Sequence, residues 1–270
     1  MTPANSSSEI SYEATLAGLA ARRPYLAAAL QRAQQQRAHQ AASLLHGARF
    51  KGLDALLCRL DDLARAFEAD PTLSRLAFLV TRSAADFETA TEATLSGYLA
   101  VAADAMRDAM EIENLLLDFA VSPAHIDEWL AATPATMQSR FRPAKIRQRL
   151  HAAQEGRYAT TAEPVDYQAH SAALHVSPHR HPIAAKGFSA DQGWQGDAGF
   201  WEIFQHARRL LPAIRRLVSA LHPSSPLGLL AQEDLVDLQD AWRRTQEMQT
   251  IYVALLQAAA QANTGDGDKT

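Results

Sequence analysis

The chain predicts an all-α fold, a multi-helix bundle built partly from helical hairpins. Apolar residues recur at three- and four-residue spacing over most of its 270 residues, and Ala, Leu, Arg, Gln and Glu fill the positions between. No Val/Ile/Thr run bounded by turn residues offers a strand. Helices are expected at 11–22, 24–46, 50–68, 71–120, 123–132, 143–153, 163–176, 198–221 and 227–262.

The first two helices read as an αα-hairpin, as does the C-terminal pair. In 50–68 the lone Cys58 sits in the pattern Leu-Leu-Cys-Arg-Leu, where a buried packing thiol is expected. Asp70-Pro71 and Ser122-Pro123 each place an N-cap residue before a proline at the first helical position. The stretch 71–120 reads as two helices, because Thr81-Arg82-Ser83 weakens its pattern.

From Tyr98 to Phe119 the apolar positions Tyr98, Ala102, Ala105, Ala109, Ile112, Leu116 and Phe119 follow one stripe, and Leu99, Met106, Met110, Leu115 and Leu117 widen it. Such a helix is mostly buried. Its polar residues form a narrow line: Asp104, Arg107, Asp108, Glu111, Asn114 and Asp118. That line is either a solvated face with an Arg107–Glu111 ion pair, or one wall of a cleft.

The helix at 163–176, ended by Pro178, is followed by a long loop at about 177–199 that holds Phe188 and Trp194 as anchors. Four of ten histidines crowd into Tyr167–Pro182, and Tyr167, Ser171 and His175 share a face at i, i+4 spacing. Tyr98, Trp129, Trp201 and Trp242 read as core packing. Residues 1–8 and 263–270 are small and polar and are expected to be disordered, leaving 9–262 as a single domain: N-terminal helices 11–68, a core of about 71–176 and a C-terminal pair 198–262.

Composition narrows the function classes. At 47% apolar and 21% charged the chain is ordinary globular material, and a net charge of −4 gives no global attraction to nucleic acid. Arg140 to Arg149 is a local basic patch. No apolar run reaches membrane-spanning length and no export signal is present, so a cytoplasmic protein without membrane contact is expected. Metal binding is not expected: no glutamate satisfies the Glu-x-x-His spacing, His-Glu-x-x-His is absent and one cysteine excludes a Cys-rich zinc site. The glycines of 193–199 have neither dinucleotide spacing nor a preceding strand, so no cofactor is expected.

An Arg-Asp-x-x-Glu helix (Arg107, Asp108, Glu111) precedes a Pro-started segment with a Trp (Ser122-Pro123 to Trp129). Next come Phe-x-Pro-x-x-Ile-Arg (Phe141, Pro143, Ile146, Arg147) and Tyr-x-x-x-Ser-x-x-x-His (Tyr167, Ser171, His175). Over about residues 98–182 this order resembles a group of bacterial helical proteins of unknown function related to the HEPN superfamily. The resemblance implies a helical, dimerising scaffold. On that reading RNA is bound or processed at a polar site between the helices at 98–119 and 163–176. His175 would be the acid/base, Glu111 its orienter, Ser171 or Tyr167 a positioning donor, and Arg107, Arg147 and His170 would hold the substrate. The alternative is a non-enzymatic, self-associating helical module whose partner is a protein, bound through the long loop and the N-terminal helices.

Overall fold

In a computed structural model, residues 11–44, 47–153, 192–231 and 235–247 are described. Within them every regular element is helical, and no strand occurs among the described residues. The elements are α1 (Tyr12–Arg22), α2 (Pro24–Leu44), α3 (Ala48–Ala69), α4 (Ala77–Leu95), α5 (Leu99–Val121), α6 (Ala124–Leu130), α7 (Pro134–Thr136), a π-helical turn (Met137–Phe141), α8 (Pro143–Ala152), α9 (Gln192–Leu221), α10 (Leu227–Leu230) and a further helix over 236–247. The expected helix at 163–176 and most of the expected loop at 177–199 lie outside the described residues.

Periodicity explains the core. On α3, Leu53, Leu56, Leu60, Leu63 and Phe67 are buried along one stripe, while α9 presents Phe200, Ile203, Phe204, Ala207, Leu211 and Ile214. On α5 every residue from Ile112 to Ala120 is buried, and its most extensive contact is with α9, then α4, which in turn packs on α3. One continuous apolar cluster joins α3, α4, α5, α6, α8, α9 and the helix at 236–247, and neither α1 nor α2 contributes to it.

Several boundaries differ from expectation, each for a local reason. The stretch 71–120 does divide, but at Ser96-Gly97-Tyr98, where Gly97 takes a positive φ of 80°. Thr81-Arg82-Ser83 stays helical because the buried stripe of Leu79, Val80, Ser83 and Phe87 runs through it, the Thr81 and Ser83 hydroxyls being satisfied by the carbonyls of Ala77 and Leu79 one turn back. Asp70 does act as a cap, its Oδ1 accepting from the N–H of Thr72 and Leu73 (2.8 and 3.2 Å), but the turn it starts is a tight one ending in a 3₁₀ segment at Ser74–Leu76.

The glycines at 193, 196 and 199 belong to α9, not to a loop. A Cβ on Gly199 would stand 2.6 Å from the Thr94 side chain, so only glycine lets α9 approach the α4–α5 corner. The expected helix 227–262 is instead the short α10 and the helix at 236–247. Arg59 donates to the Leu230 carbonyl (2.7 Å), taking an acceptor that a continuing helix would have used. Residues 248–262 lie outside the described set.

Two burial expectations are corrected. Cys58 is exposed, because it stands about 200° around α3 from the buried Leu56 and Leu60. Tyr98 is 41% exposed and sits at the N-cap of α5. Trp129 is half-buried, stacked on Phe78 (5.9 Å) and edge-on to Phe119 (5.7 Å), and Trp242 is half-buried beneath the Arg208 guanidinium at 3.8 Å. Trp201 is half-buried too. Among the described residues no helix is long and apolar enough to cross a membrane.

Candidate functional site

The polar line of α5 divides in two. Towards its C-terminal end Asn114 and Asp118 are buried, which excludes the solvated-face alternative there. Asp118 tolerates this because Arg149 of α8 closes on it with two hydrogen bonds, Nε to Oδ1 at 2.7 Å and Nη2 to Oδ2 at 2.6 Å. His125 Nδ1 lies 3.1 Å from the same carboxylate, and Arg149 Nη1 donates to the Arg140 carbonyl at 2.6 Å. One arginine thereby ties α5, the π turn and α8 together. Sequence reasoning missed His125, although its position one short turn beyond the end of α5 places it beside Asp118.

Towards the middle of α5 the line is half-buried and densely charged. Arg107 and Glu111 do form the i, i+4 ion pair, at 3.4 Å. Arg82 of α4 grips Asp108 with two bonds, Nε to Oδ2 at 2.5 Å and Nη2 to Oδ1 at 2.7 Å. Burial raises the Glu111 carboxyl, with Asp108 adding to the shift and Arg107, Arg147 and Arg82 opposing it. Of the residues expected to share a site, Arg107, Glu111 and Arg147 are thus near enough to act on one carboxyl, although they come from two helices. Tyr167, His170, Ser171 and His175 lie outside the described residues.

Asp86 of α4 completes this group. Its carboxyl is pushed up to about 7, first by burial, then by its hydrogen bond to Asp108 and by the charges of Asp108 and Asp104, against the pull of Arg82. The unfolded chain's aspartate titrates at 3.8, so between that value and about 7 the native state holds more protons than the unfolded one. Stability contributed by this group therefore falls as pH rises through that window. In Asp86→Asn the slope of melting temperature against pH should flatten between about pH 5 and 8, with a higher Tm than wild type at the upper end. Thermal melts across that range check this, and an unchanged slope would show that Asp86 ionises freely in the fold.

Beside Glu111 opens a cavity of about 520 Å³, framed by α4, α5, α6, α7, the π turn and the start of α8. Isolated π turns are uncommon and cluster at functional sites. This one supplies Met137, Gln138 and Phe141 to the cavity wall.

The expected basic patch is largely spent on neighbours: Arg140 pairs with Glu128 at 2.8 Å and Arg149 with Asp118. Arg142 is exposed and lines the cavity. Among the described residues no group of His, Cys, Asp and Glu is arranged to hold a metal ion.

The remaining distinctive surface is the α1–α2 hairpin. α1 has no buried residue, and Tyr25 (91% exposed), Tyr12, Leu26 and Leu30 face solvent. A groove of about 440 Å³ between the two helices is lined by Leu16, Ala17, Ala20 and Ala27, with Gln31, Gln34 and Gln35 along it. The Arg37–Glu92 ion pair at 2.5 Å links α2 to α4. Comparison of the chain with protein-family models, curated proteins and solved structures gives no match.

Proposed function

We propose that the protein is a non-enzymatic helical interaction module that pairs with a second copy of itself through the α1–α2 hairpin. The observation that carries this reading is that α1, eleven residues long, buries none of them. Helices shorter than about 12–15 residues are marginal in water unless an apolar face is covered. A hairpin about 30 Å long and 20 Å wide offers on the order of 500 Å² per copy, so self-pairing buries about 1,000 Å² in all, the lower end for a specific dimer. Like faces meeting across a two-fold axis close the assembly at two copies. The small residues of the groove let helices approach, and the glutamines supply a polar rim.

Sedimentation velocity from about 1 to 100 μM tests this. The expected result is a dimer that Leu26→Glu/Leu30→Glu converts to a monomer of unchanged helical circular dichroism. A monomer throughout, or a dimer indifferent to those substitutions, overturns it.

One observation favours a second reading, in which a HEPN-like scaffold binds or processes RNA: Arg107 and Arg147 both act on Glu111, as that site requires. In that role the two arginines hold phosphate while His175, oriented by Glu111, is the acid/base. Incubation with a mixed RNA pool, with and without chelator, separates the readings on a gel. Retention or cleavage lost in Arg147→Ala supports RNA as the ligand, and free migration of intact RNA excludes it.

A further inference from the structure

We infer that the cavity beside Glu111 is a binding site for a small amphipathic carboxylate, an aromatic body resting on the cavity floor with its anionic group turned out to Arg142. Its volume of about 520 Å³ lies within the range of small-molecule pockets, about 300–1,000 Å³. The lining is layered. Leu79, Ile112, Leu115, Phe141 and Ile146 are buried and form an apolar floor, with the half-buried Trp129 beside them. Arg82, Gln138 and Arg142 are exposed and stand at the rim. An apolar body gains by leaving water for that floor, whereas a charged group keeps its solvation only at the rim. The floor therefore selects the body and the rim selects the head.

The charged groups of the lining are Arg82, Asp108, Glu111 and Arg142, and all but the last are committed. Arg82 grips Asp108 with two hydrogen bonds, and Glu111 pairs with Arg107 of its own helix. Arg142 has no ion-pair partner among the described residues, so the lining carries one uncompensated charge, and its sign is positive. An ammonium would meet carboxylates that arginines already hold. A carboxylate meets a planar guanidinium fork that takes both of its oxygens and displaces nothing. The backbone adds to the same sign. Arg142 is the N-cap of α8, no side chain caps that end, Pro143 follows it and no acidic residue stands in the first turn. The positive end of the α8 dipole is therefore uncompensated on the side of the cavity that Arg142, Pro143 and Ile146 line. A single free guanidinium matches a monoanion, which favours a carboxylate over a phosphate dianion.

Three ligands with one body separate charge from shape: naphthylacetate, its isosteric amide naphthylacetamide and the cation naphthylethylamine. Isothermal titration calorimetry on the full chain should give saturable binding of naphthylacetate with a Kd on the order of 0.1 mM. The amide should bind roughly three- to tenfold more weakly, the gap expected of one exposed ion pair reinforced by a helix end, and the amine more weakly still. Raising salt to about 0.5 M should narrow the gap between acid and amide.

Arg142→Gln, a change at an exposed side chain, should bring naphthylacetate down to the affinity of the amide and leave the amide itself unchanged. Met137→Trp, which fills the space without touching a charge, should abolish binding of both while circular dichroism remains that of wild type. Equal affinity of acid and amide, tightest binding of the amine, or an acid–amide gap that survives Arg142→Gln overturns the assignment. So does binding that survives Met137→Trp, or an absence of saturable naphthylacetate binding. None of these outcomes bears on the oligomeric state, so the hairpin reading stands or falls separately.

Discussion

Replacing Arg149 by Met should cost about 3–5 kcal/mol of stability, because it strands a carboxylate that the fold has taken out of water. Asp118 has 2% of its side chain exposed, and Arg149 supplies two of its hydrogen bonds. His125 alone cannot replace a bidentate guanidinium, and its ring lies edge-on to Phe141, 6.2 Å between centroids, so it is not free to reorient. The same change frees the Arg140 carbonyl and removes the guanidinium stacked 5.5 Å from the Phe141 ring centre. Urea unfolding followed by circular dichroism measures the loss. Asp118→Leu combined with Arg149→Met should recover most of it, since an apolar pair of similar size leaves nothing unpaired. A single-variant loss below about 1 kcal/mol would mean that water reaches Asp118.

Gly52→Ala should destabilise the fold by driving a methyl group into the helix at 236–247. The new Cβ would lie 2.3 Å from Ala241 Cβ, 3.0 Å from the Asp237 carbonyl oxygen and 3.3 Å from the Phe204 ring. Two of those three neighbours are backbone or Cβ atoms of the helix at 236–247, which cannot rotate aside as a long side chain can. That helix must shift bodily, at a cost of about 1–3 kcal/mol. Gly18 is the control: nothing stands within 4 Å of its added Cβ, so Gly18→Ala should be neutral or stabilising by up to about 1 kcal/mol. Thermal melts compare the two, and Trp242 emission reports whether the helix at 236–247 has moved. Equal melting temperatures would show that this helix is not seated against α3.

The helices were legible because burial in this fold is paid in leucine and alanine at helical spacing, a pattern that needs no partner to be read. The same local character explains the errors. Ser83 looked like a break because its interruption of the apolar pattern is visible in sequence, whereas its hydroxyl bond to the Leu79 carbonyl is not. Gly199 looked like loop material because the requirement it meets, the approach of α9 to Thr94, spans a hundred residues of chain.

At the candidate site, Arg107–Glu111 followed from i, i+4 geometry and is present. Arg82 was visible only as part of the misread interruption, although it is the residue that binds Asp108. Asp86, the group with the largest displaced titration there, lies in an ordinary Ala-Ala-Asp-Phe stretch with no local signature at all. In sequence Asp118 belongs to a polar line and Arg149 to a basic patch, but their union depends on how α8 folds back along α5.

The partnership of α5 with α9 also dictates an order of events at the ribosome. α5 is complete at Val121, but its most extensive contact partner ends at Leu221, about 100 residues later. At roughly 5–20 residues per second the interval is about 5–20 s. During it α5 has α4, α6 and α8 to pack against among the described residues, and its contact with α9 has yet to form. The nascent chain therefore leaves the α9-facing side of α5 exposed to solvent for seconds in every round of synthesis, a window in which chaperone capture competes with aggregation. Synonymous codon changes that slow elongation between residues 122 and 221 should lengthen that window and lower soluble yield without altering the finished molecule.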